Sequence, residues 1–141
     1  KSLYDAVALV AGTGKGDTAR APNDRKKSMR ETLTILRDGM GLDYMRGMVA
    51  SNLKEAQRLL DVVENEMQKN KLDKMSDAAH DLKSITGLIG MYEASALAAE
   101  IEADGLKAES KRLDGLFEHL EDALAREMRE AERIAKTMPE K

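Results

Sequence analysis

Between residues 72 and 91 the positions Leu72, Met75, Ala79, Leu82, Thr86 and Ile89 recur at spacings of 3, 4, 3, 4 and 3. Such a seam fits one face of an α-helix packed along its length and cannot be laid on a strand, whose period is two. Comparable stripes lie on either side of it. Met45, Val49, Asn52, Ala56, Leu59, Val63 and Met67 predict a helix over 43–69, with Asp43 as its N-cap and Asn70-Lys71 closing it. Leu113, Leu116, Phe117, Leu120, Leu124, Met128, Ala131 and Ile134 predict another over 110–137. The seam helix is read over 72–91, and a further helix over 93–107. A shorter one over 28–38 opens on Ser28 with Glu31 three residues on, the pattern of a capping box. Short connections between long amphipathic helices make antiparallel neighbours. The expected fold is all-α, an antiparallel up-down four-helix bundle with a short extra N-terminal helix.

Composition narrows the function classes. With 23 basic against 26 acidic residues, net charge −3 and four aromatics, the chain has neither the basic excess nor the stacking surface of a nucleic-acid binder. The absence of cysteine excludes disulfides and a Cys-ligated zinc site, and two His 39 residues apart make a poor metal site of any kind. No apolar run approaches the roughly 20 residues of a membrane span. No direct membrane contact and a cytoplasmic location are expected. The chain begins at Lys1 rather than Met and reads as a piece of something longer. Residues 12–27 (GTGKGDTARAPNDRKK) have the composition of a flexible linker. Their GTGKG is not a phosphate loop, because Leu9 and Gly16 stand where that pattern needs Gly and Ser or Thr. Met45, Met48, Met67 and Met75 read as core filler, and His119, flanked by Glu118 and charged neighbours, reads as plain surface.

His80 is the position the stripes leave over. At about 100° per residue it points about 130° away from the middle of the 72–91 seam, toward water. Around it the same indexing places Ser76, Asp77, Lys83, Ser84 and Gly87, with Leu88 and Met91 beyond them also turned outward. Cover by the 28–38 helix is the alternative for those last two. A glycine within a helix costs about 1 kcal/mol relative to alanine. Gly87 and Gly90 therefore call for a reason, which close approach by another backbone would supply, with crowding inside the bundle as the alternative for Gly90. A neutral imidazole nitrogen is a competent nucleophile, and Lys83, one turn on, can pair with an arriving anion. The group reads as a docking surface built around a reactive side chain.

The run AHDLKSITGLIGMYEASALAAEIE (79–102) resembles the histidine-containing phosphotransfer (HPt) domain of bacterial multistep phosphorelays. Ala79, His80, Leu82, Lys83, Ser84, Gly87, Gly90, Leu97 and Glu102 fill the family's pattern, with Ser84 where glycine is commoner. The helical layout extends the likeness over 28–137. The resemblance implies a phosphoryl carrier in a His-Asp relay. His80 would accept the group from a receiver aspartate and pass it to another receiver, and Lys83 would orient and neutralise the phosphoryl oxygens. Ser76, Ser84, Gly87, Leu88 and Met91 would dock the partner. Response-regulator receiver domains are the implied partners, the Mg²⁺ would come with the receiver, and no cofactor or ATP site is expected in this monomeric domain, which would not itself be an enzyme. A receiver-binding or purely structural bundle without phosphotransfer is the competing reading. Residues 1–11 (KSLYDAVALVA) look like the last helix of a preceding receiver, which would make the parent chain a hybrid sensor histidine kinase.

Overall fold

A computed structural model describes residues 28–107 and 112–140, so the readings made for 1–11 and 12–27 lie outside the described residues. Five helices follow one another: α1 (Met29–Met40), α2 (Leu42–Gln68), α3 (Leu72–Leu88), α4 (Tyr92–Leu106) and α5 (Leu113–Thr137). No strand occurs among the described residues. Helices α2 to α5 form an all-helical bundle in which each packs against the next and α5 closes on α2. The pairs run antiparallel. Asn52, early in α2, donates to the Ile85 carbonyl late in α3 (3.3 Å), and Ser76, early in α3, donates to the Glu102 carbonyl late in α4 (2.8 Å). At the remaining corner, Arg46 near the start of α2 donates to the Ala135 carbonyl near the end of α5 (2.7 Å).

Each helix end has a local cause. The Ser28 hydroxyl accepts from the Glu31 amide while the Glu31 carboxylate accepts from the Ser28 amide, so α1 starts on the expected capping box. Between α1 and α2 stands Gly41 alone, at φ 99°, a conformation that favours glycine. Gly41 and not Asp43 is therefore the N-cap of α2. Asp43 falls in the first turn, where its charge still meets the positive end of the helix dipole. Helix α2 stops at Asn70, which takes φ 59° while Lys71 N–H returns to the Glu66 carbonyl at 2.8 Å. Helix α3 stops in the same way at Gly90, φ 83°, with Met91 N–H on the Thr86 carbonyl at 2.9 Å. Both are left-handed C-terminal caps. The seam helix thus ends at Leu88, three residues before its predicted end, and Gly90 belongs to a turn and not to a helix interior.

The core is aliphatic and methionine-rich. Met45, Val63, Met75, Leu82, Ile89, Ile101, Leu120, Leu124 and Ile134 are all but fully buried. Met48 and Met67 pack against it from partly buried positions. Helix α1 lies across the end of the bundle where α3 turns into α4. There Leu33 is fully buried, and Thr32 shares a 2.8 Å hydrogen bond with the Tyr92 hydroxyl.

Candidate functional site

His80 is half-exposed, its side chain retaining 54% of its accessible surface. Its outward direction follows from the way α3 is held. The buried arc of α3 runs from Ala78 through Ala79 and Leu82 to Ser76, whose hydroxyl meets α4. His80 projects from what remains. Two hydrogen bonds fix the helix from its flanks: Asn52 of α2 on the Ile85 carbonyl (3.3 Å) and Ser95 of α4 on that of Lys83 (2.9 Å).

The ring is not alone. Glu102, reaching across from α4, brings Oε2 to 2.9 Å of His80 Nδ1 and Oε1 to 2.9 Å of Lys83 Nζ. One carboxylate so joins the imidazole and the ammonium that share the outer face of α3. An ionised carboxylate only accepts hydrogen bonds, so Nδ1 is the donor, and in the neutral ring Nε2 is left with its lone pair directed away from Glu102. The sequence pattern placed a glutamate at 102, but residue-level indexing did not bring it to His80, 22 positions away. Antiparallel reflection of α3 and α4 about their short turn would have paired the two.

The predicted docking residues separate into two groups. Ser84 and Leu88 remain on the exposed face, Leu88 at 55% exposure; the Ser84 hydroxyl turns back onto the His80 carbonyl at 3.3 Å. Gly87 is half-buried, and a Cβ there would meet the Ser95 hydroxyl at an ordinary 3.4 Å, so neighbouring atoms do not demand glycine at this position. Ser76 and Met91 have to be corrected. Ser76 is 2% exposed because α3 is flanked on two sides and its flank at Ser76 faces α4, whereas indexing from one stripe assumed a single buried face. Met91 is fully buried because α3 ends before it, and the helical phase that turned it outward no longer applies. Neither side chain can touch a visiting protein. His119 is exposed, as read.

A groove of about 490 Å³ lies between α2 and α5, lined by Arg46, Leu53, Met128 and Lys136, on the side of the bundle opposite α3 and α4. Among the described residues no cluster of His, Cys, Asp or Glu could hold a metal ion, and no helix is long and apolar enough to cross a membrane. The arrangement is a nucleophilic imidazole on an exposed helical face, its inner nitrogen engaged by a carboxylate and a cation close by. It suits a group that arrives attached to another macromolecule.

Such a fold and site define the histidine phosphotransfer class. The model of the Hpt domain family matches residues 47–133, and the chain belongs to that family, whose members carry phosphoryl groups within phosphorelays and are not kinases. The fold is similar to that of histidine-containing phosphotransfer protein B (HptB) from Pseudomonas aeruginosa PAO1, with a TM-score of 0.72 and 16% sequence identity, covering 77% of this chain and 94% of that one. No curated protein sequence matches the chain significantly.

Proposed function

We propose that His80 is the phosphoryl acceptor of this carrier and that it reacts through Nε2. The observation that carries this reading is the Glu102 carboxylate 2.9 Å from Nδ1 of a half-exposed ring. The partner is a receiver domain bearing an aspartyl phosphate. The Nε2 lone pair attacks phosphorus in line; the N–P bond forms as the P–O bond to the aspartate breaks, and the aspartate leaves as a carboxylate with the bonding pair. The proton on Nδ1 stays in place, and Glu102 offsets the positive charge that develops on the ring. Delivery to a second receiver is the same step reversed. Lys83, on the same face, supplies a cation for the phosphoryl oxygens, while positioning and charge supply most of the catalysis in such transfers. The receiver brings its own Mg²⁺. Leu88 and Ser84 belong to the surface it covers. In this reading the domain acts as a cytoplasmic monomer, in company with its receivers.

Incubation with a phosphorylated receiver should label the chain with acid-labile, base-stable phosphate, and His80→Gln should abolish the label. Equal labelling of that variant would overturn the assignment. Phosphorus–nitrogen coupling in the labelled protein should identify Nε2, and a phosphoryl group on Nδ1 would refute the role given to Glu102.

A further inference from the structure

We infer that Ser76 and Gly105 form the contact that sets the reach of Glu102, making Ser76 a positioning residue for the site. The consequence for transfer rests on the carrier reading above; the geometry does not. Ser76 lies one turn before His80 and donates its hydroxyl proton to the main-chain carbonyl of Glu102 at 2.8 Å. The residue held in this way is the one whose side chain spans His80 and Lys83. Next to it, a Cβ on Gly105 would stand 2.3 Å from the Ser76 Oγ and 2.6 Å from the Met75 methyl, with the Leu72 carbonyl at 3.2 Å. Helices α3 and α4 therefore approach more closely here than a side chain at 105 would permit.

Two requirements make this spacing matter to the site. Glu102 must place one oxygen on each of two groups on the opposite helix, both at 2.9 Å. Any outward shift or axial slip of α4 at this level lengthens both contacts together. The imidazole then loses the acceptor that keeps the proton on Nδ1, and reverts toward the Nε2–H tautomer that a free imidazole prefers in water. That tautomer has no lone pair on its outward nitrogen. A displacement of about 1 Å in a positioned group can cost about a hundredfold in rate.

Two variants disturb the contact by different routes. Ser76→Ala removes the hydroxyl and leaves the spacing free to relax; Gly105→Ala keeps the hydroxyl but forces it off the Glu102 carbonyl or parts the helices. Imidazole ¹⁵N spectra of the unphosphorylated chain should give mainly the Nδ1–H tautomer for His80 in the wild type. Both variants should move the ratio toward Nε2–H by about fivefold, the weight of one net hydrogen bond, with helical content retained. Should Gly105→Ala fail to fold, Ser76→Ala decides alone. A folded Ser76→Ala with the wild-type ratio would overturn the inference, whatever happens to transfer. A shifted ratio in a protein whose wild type takes no phosphate would uphold the positioning role and defeat the carrier reading instead.

Discussion

Gly90 and Met29 lie so close that a Cβ on the glycine would sit 2.9 Å from the Met29 Cα. The glycine is also held at φ 83°, where a side chain is strained whatever the space around it. The two constraints act on the same residue, so Gly90→Ala should destabilise the bundle by about 2 kcal/mol or more, combining left-handed strain with overpacking. Urea unfolding measures it. A loss below about 0.5 kcal/mol, the scale of an ordinary surface substitution, would contradict the account of how α1 is seated.

Glu102 joins His80 and Lys83, and replacing it should slow phosphoryl uptake more than it disturbs folding. Glu102→Ala removes the acceptor from Nδ1 and releases Lys83; transfer from a phosphorylated receiver should fall about ten- to a hundredfold, as for a mispositioned reacting group. Glu102→Gln can still accept from Nδ1 through its amide oxygen and should fall between. Single-turnover transfer rates, with circular dichroism to check the fold, test both. Wild-type rates in Glu102→Ala would remove the carboxylate from the mechanism.

Arg46 closes the C-terminal end of α5 by donating to the Ala135 and Lys136 carbonyls at 2.7 and 3.2 Å. Carbonyls at a helix end have no partner within the helix, and a cation there also meets the negative end of the dipole. Arg46→Ala should cost about 1–2 kcal/mol. Amide exchange should quicken in the last turn of α5 first. Uniform loss of protection along the whole chain would point to a different role.

Two carboxyl groups meet at the N-terminus of α4, Glu93 of that helix and Glu127 of α5, and they respond to pH in opposite directions. Hydrogen bonds from Arg126, at 2.9 and 3.1 Å, hold the Glu93 carboxyl below its ordinary range. Burial pushes Glu127 up, opposed by the Ala94 and Glu93 amides it accepts from. The contribution of Glu93 is in force above the ordinary value of 4.5 and is lost as pH falls through its lowered one. That of Glu127 is in force below 4.5 and declines as pH rises through its raised value. Measured by urea midpoints from about pH 3 to pH 7, the deficit of Glu93→Gln should therefore close toward acid. The deficit of Glu127→Gln should shrink toward neutral pH. Parallel pH profiles for the two variants would refute the assignment.

What could be read from the chain was local and periodic. Ser28 and Glu31 sit three apart and cap one another, so the start of α1 needed no knowledge of the fold. His80 could be turned outward because it lies far from the seam in helical phase. Ser76 and Met91 show where that method stops. A stripe defines one buried face, but α3 is covered by both α2 and α4, and only the packing reveals that the flank carrying Ser76 is buried. Met91 was carried outward by a phase that ended at Leu88, and the cause of that ending, Gly90 in a left-handed conformation under α1, involves a contact with a residue about 60 positions away. Glu102 filled a place in the family pattern, but its partnership with His80 and Lys83 exists only once α3 and α4 are folded together.

His80 is the central residue of α3, with eight residues of the 17-residue helix on either side. A side chain mounted there has its backbone locked by hydrogen bonds in both directions, unlike one on a loop, which can bend to meet its visitor. If His80 is the acceptor proposed above, every receiver is offered the same rigid target at the same angle. Adaptation between carrier and caller falls to the imidazole rotamer and to the incoming protein, so a chain serving several receivers would be selected for sameness in them, not for suppleness in itself.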